Sequence, residues 1–285
     1  MNDRSRTAAA AAAAGAAAAA AASAAVGGAA AGAAGGARYV QWRPGAAPGR
    51  QVRCLWVREN AGGPAYRQLV VPDGCVDLVW SGGALEVVGP DRAPRSVPVS
   101  GGAGLAGVRF RPGAAGLLLG AVPARELCDL QVPLGEVLGP EAAERLGERL
   151  GRARDTRAAA SLLDAFAASL ARRWTPDAAV ERAVAELGRA DAARVPVIAE
   201  ELGLSERQLR RRITDAVGYG PKTLQGVLRF RRAVDEARSG GLGLAEAAVR
   251  AGYADQAHFT REVRRWSGVS PTVLLGRPGR AERPG

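Results

Sequence analysis

Two stretches decide how this chain is read. Val195–Pro221 runs VPVIAEELGLSERQLRRRITDAVGYGP, and Leu242–Pro271 runs LGLAEAAVRAGYADQAHFTREVRRWSGVSP. At an offset of fifty, Leu209 falls on Phe259, Arg211 on Arg261, Ile213 on Val263, Gly218 on Gly268 and Pro221 on Pro271. The first halves match at forty-nine, Ala199 on Ala248, Gly203 on Gly252 and Leu204 on Tyr253. The second stretch therefore carries one extra residue in the turn before its second helix. A repeat of this length marks two copies of one supersecondary unit. In each copy a short helix ends in a small residue and a glycine, which permits a sharp turn. Ser205 and Asp255 follow where an N-cap oxygen is needed. The pattern predicts two helix-turn-helix units joined by one helix.

The second helix of each unit is amphipathic. Phe259, Val263 and Trp266 fall at i, i+4 and i+7 and form one apolar stripe, as Leu209, Ile213 and Val217 do in the first unit. Off the stripes lie Arg207, Arg210, Arg211 and Thr214 in the first unit, and Gln256, Ala257, Thr260, Arg261 and Arg264 in the second. Arginines on an amphipathic helix are in most proteins a solvated face. A basic, amide-bearing face on a second helix also suits the major groove, where arginine grips a guanine edge with two donors and glutamine an adenine edge. His258, the only histidine, stands beside Phe259 and reads as a packing or phosphate-contact residue; no base-orienting partner or nucleophile marks it as catalytic.

On LGLSERQLRR (202–211), GYGPKTLQ (218–225), AGYADQAHFTREVRRWSG (251–268) and GVSP (268–271), the last third of the chain resembles the DNA-binding domain of the AraC/XylS transcription regulators. The resemblance implies double-stranded DNA as partner, read by two recognition helices in successive major grooves on one face. Carried over residue by residue, the first helix presents Arg207, Arg210 and Arg211, and the second Gln256, Ala257, Thr260 and Arg261. Two positions depart from the family pattern. Arg212 stands where an apolar residue is usual, and Val263 where phenylalanine is usual. Both fall off the expected base-reading face, so they bear on packing.

Charge agrees with a nucleic-acid partner. The 285 residues, enough for two domains, carry a net charge of +11; residues 189–285 hold 18 basic and 11 acidic side chains and so most of that excess. Lys222 is the only lysine. With so much alanine and glycine, that bias reflects a GC-rich coding sequence, so arginine in place of lysine is not itself a functional signal. Cys54, Cys75 and Cys128 are widely spaced, odd in number and without a C-x-x-C pair, which argues against zinc or a disulfide framework and for buried reduced thiols in a cytoplasmic protein.

Residues 1–37 are nearly all alanine and glycine. The tract has no apolar face to bury and lacks the Leu, Ile and Phe of an export signal. It is expected to be a disordered low-complexity tail, or the product of a start codon placed too far upstream. No other segment reaches the ~18–20 apolar residues of a membrane span. From Arg38 to about Pro112 the period changes to two. The runs QVRCLWVRE, YRQLVVPD, GCVDLVWSG, ALEVVGP, SVPVSG and LAGVRFRPG, punctuated by glycine and proline, predict an antiparallel β-sandwich or barrel. Helical segments follow at AAGLLLGAVPARELCD, PEAAERLGERLG, AAASLLDAFAASLARRW and PDAAVERAVAELGR, with Leu162, Leu163, Phe166 and Leu170 on one stripe. The expected plan is α+β and multidomain: a tail over 1–37, a β-rich sensor or dimerisation domain over 38–150, a helical linker over 151–187, and the all-α tandem reader over 188–285.

VPDGCVDLVW, VVGP and GVRFRPGAA resemble a cupin-like N-terminal domain found in a branch of AraC-like regulators. That implies a small-molecule effector or a homodimer, with RNA polymerase as a further partner. Asp73, Asp77 and Arg109 are the polar residues in or beside these strands; they either cap turns and pair with each other or line an effector pocket. Many cupins are metal enzymes built on histidines, and this region has none, so no metal or cofactor is expected. No G-x-S-x-G, P-loop, Rossmann glycine pattern or acid/base pair is present. A regulator rather than an enzyme is the expectation. The alternatives are a methyl-accepting alkylation-response protein, against which the scattered cysteines argue, and a cupin-like enzyme with a DNA-binding domain.

Overall fold

The structure, a computed structural model, describes residues 37–60, 66–99, 102, 104–239 and 243–275. The alanine-rich tail expected over 1–37 lies almost wholly outside them. Among the described residues seven strands come first, β1 Ala37–Trp42, β2 Val52–Asn60, β3 Tyr66–Val70, β4 Val76–Trp80, β5 Leu85–Val88, β6 Arg95–Val99 and β7 Leu105–Phe110, and an eighth, β8 Gln131–Pro133, follows a short helix and a 3-10 turn. Six form one antiparallel sheet in the order β1-β2-β7-β4-β5-β8, and β3 pairs with β6 as a separate ribbon. The period-two runs all became strands. β1 and β8, both at sheet edges, had no such run to mark them.

Side chains alternate between the two faces of the sheet. Leu55, Val57, Val76, Leu78, Ala106, Val108 and Phe110 build one core with the helices that follow. Cys54, Trp56, Val79 and Leu105 occupy the other face, together with Asp77 and Arg109. The ribbon lies against that second face: Arg58 on β2 reaches Gln68 on β3 at 3.4 Å.

The helices are α1 Gly116–Leu119, α2 Leu134–Leu138, α3 Pro140–Gly151, α4 Thr156–Ala171, α5 Ala178–Leu187, α6 Val195–Glu201, α7 Glu206–Val217, α8 Pro221–Ser239, α9 Leu244–Arg250, α10 Gln256–Ser267 and α11 Pro271–Leu274, with a 3-10 turn at Ala124–Leu127. The stretch 151–187, read from sequence as a linker, divides between two cores. α4 packs on β2 and β7, whereas α5 buries Val180, Ala183 and Leu187 among the C-terminal helices. The buried face of α4 is not the stripe of large residues. Ala159, Ala160, Leu163, Ala167 and Ala168 are buried, and Leu162, Phe166 and Leu170 flank them half-buried. Small side chains let the helix approach the sheet closely. That face also carries Asp164, whose carboxylate accepts the backbone N–H groups of Gly45, Ala46 and Ala47 at 2.8, 2.7 and 3.0 Å. Three donors satisfy a buried carboxylate and fix the loop before β2.

Candidate nucleic-acid interface and the seam behind it

The repeat in the sequence is a repeat in the fold. α6 and α9 are the first helices of the two units, α7 and α10 the second, and α8 joins them. α7 and α10 start fifty residues apart, while α6 and α9 start forty-nine apart, so the extra residue does sit in the second turn. The turns use matched glycines, Gly203 at φ 66° and Gly252 at φ 83°. The Ser205 hydroxyl accepts the Gln208 N–H, and Gln208 returns a bond to the Ser205 N–H, closing a capping box. Asp255 caps α10 by accepting the His258 N–H at 2.6 Å. Both helices end in left-handed glycines, Gly218 and Gly268.

Burial separates the faces. Leu209, Ile213 and Val217, and likewise Phe259, Val263 and Trp266, enter one shared helical core. Arg207, Arg210, Arg211, Gln256, Ala257, Arg261 and Arg264 are exposed, and Thr260 is half-buried with its hydroxyl donating to the Gln256 carbonyl at 2.9 Å. Two further polar side chains of these helices are engaged locally. Arg265 pairs with Glu262 and lies over the Trp266 ring, while Gln208 serves the cap. His258 is half-buried, its ring edge-on to Tyr253 at 5.1 Å, which is a packing role.

The two departures from the family pattern have local causes. Val263 is fully buried and fills its place in the core. Arg212 reaches Asp177 at 3.2 Å, and Asp177 is the N-cap of α5, accepting the N–H groups of Ala179 and Val180. Arg212 thus ties the first recognition helix to α5. An aspartate just before an amphipathic run was the sequence signal for that cap.

Behind the exposed faces, the reader is docked on the β region. Val71, in the loop after β3, is buried in the helical core. Arg125 of the 3-10 turn pairs with Asp215 of α7, and the Cys128 thiol donates to the Gly218 carbonyl at 3.2 Å. At the start of β2, Gln51 donates to Glu181 of α5 at 3.2 Å. None of these contacts carries a pattern within one segment, so sequence reading missed them.

Asp73, Asp77 and Arg109 come together, buried, between the sheet and this seam. Arg109 Nε lies 3.1 Å from both oxygens of Asp77, and its Nη1 lies 3.3 Å from Asp73. The Trp56 indole N–H donates to Asp77 at 2.8 Å, and Asp73 caps its own turn by accepting the Cys75 N–H. Desolvation pushes Asp77 up to about 7 against the pull of Arg109, and the Asp73 carboxylate adds to the rise. Asp73, though buried, is held below the usual carboxylate range by Arg109, Arg231 and Arg53. All three cysteines are buried free thiols, and burial pushes Cys128 up to about 11. Among the described residues no group of His, Cys, Asp and Glu has a metal-site arrangement, and no helix is long and apolar enough to cross a membrane.

Two helix-turn-helix units on one connecting helix define a DNA-binding protein. Residues 198–277 match the family model described as a helix-turn-helix domain, and residues 41–133 match a domain of unknown function (DUF6597). The first match falls on the two units and their connecting helix, a helix-turn-helix reader of the AraC type that binds DNA. No curated protein matches the chain. Among solved structures it is similar to the C-terminal domain of AraT, a response regulator from Geobacillus stearothermophilus, at 26% identity over 38% of this chain and 93% of that one, with a TM-score of 0.33. It is also similar to ToxT from Vibrio cholerae bound to (E)-4-(8-methylnaphthalen-1-yl)but-3-enoic acid, at 11% identity over 85% and 98% of the two chains and a TM-score of 0.42. The AraC-like transcriptional activator CuxR is similar at 13% identity over 76% and 85%, with a TM-score of 0.25.

Proposed function

We propose that this regulator binds double-stranded DNA sequence-specifically, with α7 and α10 in successive major grooves. Arg207, Arg210 and Arg211 read or grip one segment, and Gln256, Ala257, Thr260 and Arg261 the other. The observation that carries this reading is the matched exposure of six of these residues, with Thr260 half-buried beside them, on two helices that are both capped at their N-termini. Exposed guanidinium groups neutralise phosphates and give salt-dependent affinity, while arginine and glutamine donors at base edges give specificity. The β region, with α3 and α4, forms a sensor or dimerisation unit. Asp73, Asp77 and Arg109 belong to it as a buried, mutually paired hub that holds the loop carrying Val71 against the reader; direct effector contact is left to groups with free access. A small effector would act by shifting the population of docked and DNA-competent arrangements. The protein works in the cytoplasm, as a homodimer or with RNA polymerase beside it on the promoter, and is not an enzyme.

Fluorescence anisotropy tests this directly. The full chain is titrated onto the DNA upstream of its own coding region, at several salt concentrations and against scrambled competitor. Tight, selective binding is expected, its affinity falling by about 0.9 log unit per phosphate contact for each tenfold rise in salt. Equal affinity for the scrambled duplex at every salt concentration would remove the reading.

A further inference from the structure

The two recognition helices converge at their C-terminal ends. α7 closes on Gly218, just before α8 begins at Pro221. α10 brings Trp266 against Gly226 in the second turn of α8, where an added methyl group would stand 3.1 Å from the indole ring. Glu262 of α10 also reaches Arg229 of α8 at 3.8 Å. The loop between β5 and β6, GPDRAP over 89–94, lies at this meeting point. A methyl group added at Gly218 would stand 2.7 Å from the Pro90 ring, and one at Gly268 would stand 3.8 Å from the Pro94 ring. Gly218 and Gly268 are equivalent positions of the repeat, the left-handed ends of α7 and α10. One loop of the β region therefore abuts the same point on both DNA-reading units.

The loop is stiff. Pro90 and Pro94 fix the backbone at both of its ends. The Gly89 N–H donates to the Leu130 carbonyl at 3.0 Å, and Gly89 lies so close to the 3-10 turn that a methyl group there would overlap the Leu127 carbonyl oxygen. Asp129 braces the other side. Its N–H donates to the Pro90 carbonyl at 3.1 Å, and its carboxylate accepts the Arg92 N–H at 2.8 Å and Arg92 Nε at 2.6 Å. Among the described residues Asp129 is the only non-glycine with a positive φ, 60°. Such a conformation persists where the surrounding bonds over-determine it. Asp91, which is buried, pairs with Arg95 across the loop. The segment that braces the loop also holds α7, through Arg125 with Asp215 and Cys128 with Gly218. α7 is thus anchored by polar contacts, while α10 rests on the loop at Pro94.

We propose that the 89–94 loop, braced by Asp129, is a positioning element for DNA reading: it sets the angle between α7 and α10, and so the separation of the two DNA segments they read. The proposal rests on the reading of these two helices as the recognition elements. Contact at the C-terminal ends has leverage, because the base-facing residues Arg207 and Gln256 stand at the opposite ends. Each helix has 12 residues. Such a helix is ~18 Å long, so a tilt of ~10° about one end moves the other by ~3 Å, close to the ~3.4 Å rise of one base pair. The β region then contributes to specificity without touching DNA. With the loop loosened, α10 can tilt on α8 while each helix still reads its own segment.

Binding of the full chain to duplexes of altered spacing tests it. Selection from a randomised duplex pool gives the two submotifs and their separation. Anisotropy then compares the best duplex with duplexes that have one base pair added or removed between the submotifs. For the wild-type chain each shift should cost at least about tenfold in affinity, because it displaces a whole segment from its reader. P94G removes the ring beside Gly268, and D129G deletes the bracing carboxylate while suiting the left-handed backbone. Each should cut the penalty to about threefold or less, with base preferences inside both submotifs unchanged. P94V, which keeps an apolar side chain at that point, should stay nearer the wild type, and R145A on the exposed face of α3 should match it. Loss of stability alone lowers affinity at every spacing together and leaves the ratio where it was. Wild-type penalties in both P94G and D129G, altered base preference within a submotif, or equal wild-type affinity at all spacings would overturn the proposal. A pool that yields no motif would instead remove the DNA-reading assignment of α7 and α10, and the proposal with it.

Discussion

At the scale of single residues, two side chains separate recognition from stability. Arg261 is exposed on α10, at the position equivalent to Arg211 on α7. Arg261→Ala should cost ~1–3 kcal/mol of DNA binding and relax specificity in one half of the site, with the folded stability unchanged. Anisotropy against a set of single-base variants of the site reads this, and unaltered base preference would reassign the helix. Asp77 behaves oppositely, since it is buried and touches no DNA-facing element. Its folded pKa of about 7 exceeds the ordinary 3.8, so between those values the fold holds a proton that the unfolded chain has released. Stability from this group is therefore present at low pH and declines as pH rises through that window, by about 2–3 kcal/mol between about pH 5 and pH 8. Asp77→Asn keeps an acceptor for Trp56 but cannot titrate. Urea unfolding midpoints for the two proteins should converge, or cross in favour of Asn, as pH rises; parallel curves would show that Asp77 is ionised throughout.

At the scale of elements, the turns of the first unit carry a built-in comparison. Gly203 and Gly218 both lie in the left-handed region, at φ 66° and 99°. A methyl group at Gly203 would meet nothing within 4 Å, whereas one at Gly218 would stand 2.5 Å from the Cys128 sulfur and 2.7 Å from Pro90. Gly203→Ala should cost only the backbone strain, ~1–2 kcal/mol. Gly218→Ala should cost that and ~1–3 kcal/mol of overpacking besides, and it should loosen the contact between α7 and the β region. Denaturant unfolding compares the two, and equal losses would mean that the seam yields freely. These glycines also mark the limit of what was legible. Gly203, Ser205 and Gly218 advertise a helix start or stop within a few residues, so both units, their offset and the core stripes could be read directly. The same holds for the period-two strands between Gln51 and Phe110. The edge strands β1 and β8 carry too little alternation to be seen, and α4 buries alanines that no stripe of large residues would pick out. Contacts such as Cys128 with Gly218, or Asp164 with the 45–47 loop, span about ninety or more residues and depend on packing that local pattern does not encode.

At the scale of the whole molecule, the question is where the reader begins. Spacing alone suggested 188, because the first helix-turn-helix pattern starts shortly after it. Packing suggests an earlier start. Trp174 leans on the sheet core, while Val180, Ala183 and Leu187 of α5 are buried among the reader helices, and Asp177 both caps α5 and receives Arg212 from α7. The change of allegiance falls between Trp174 and Asp177, and a fragment starting at Thr175 keeps the whole helical core except for Val71, which comes from the β region. A fragment starting at Gly188 loses α5 and exposes the apolar surface it covered. Burial of one valine and one leucine at ~1.5–3 kcal/mol each, reduced for residual compactness of the unfolded chain, sets that loss at ~2–5 kcal/mol. A domain of this size has ~5–15 kcal/mol in all, so the shorter fragment should sit near its unfolding limit. Circular dichroism melts of 175–285 and 188–285 decide the matter. A clearly higher midpoint for the longer fragment, with both binding the same DNA when folded, would make α5 part of the reader and Arg212 the clasp that holds it. Superimposable melts would return α5 to the role of a connector and leave the reader as the two units and α8 alone.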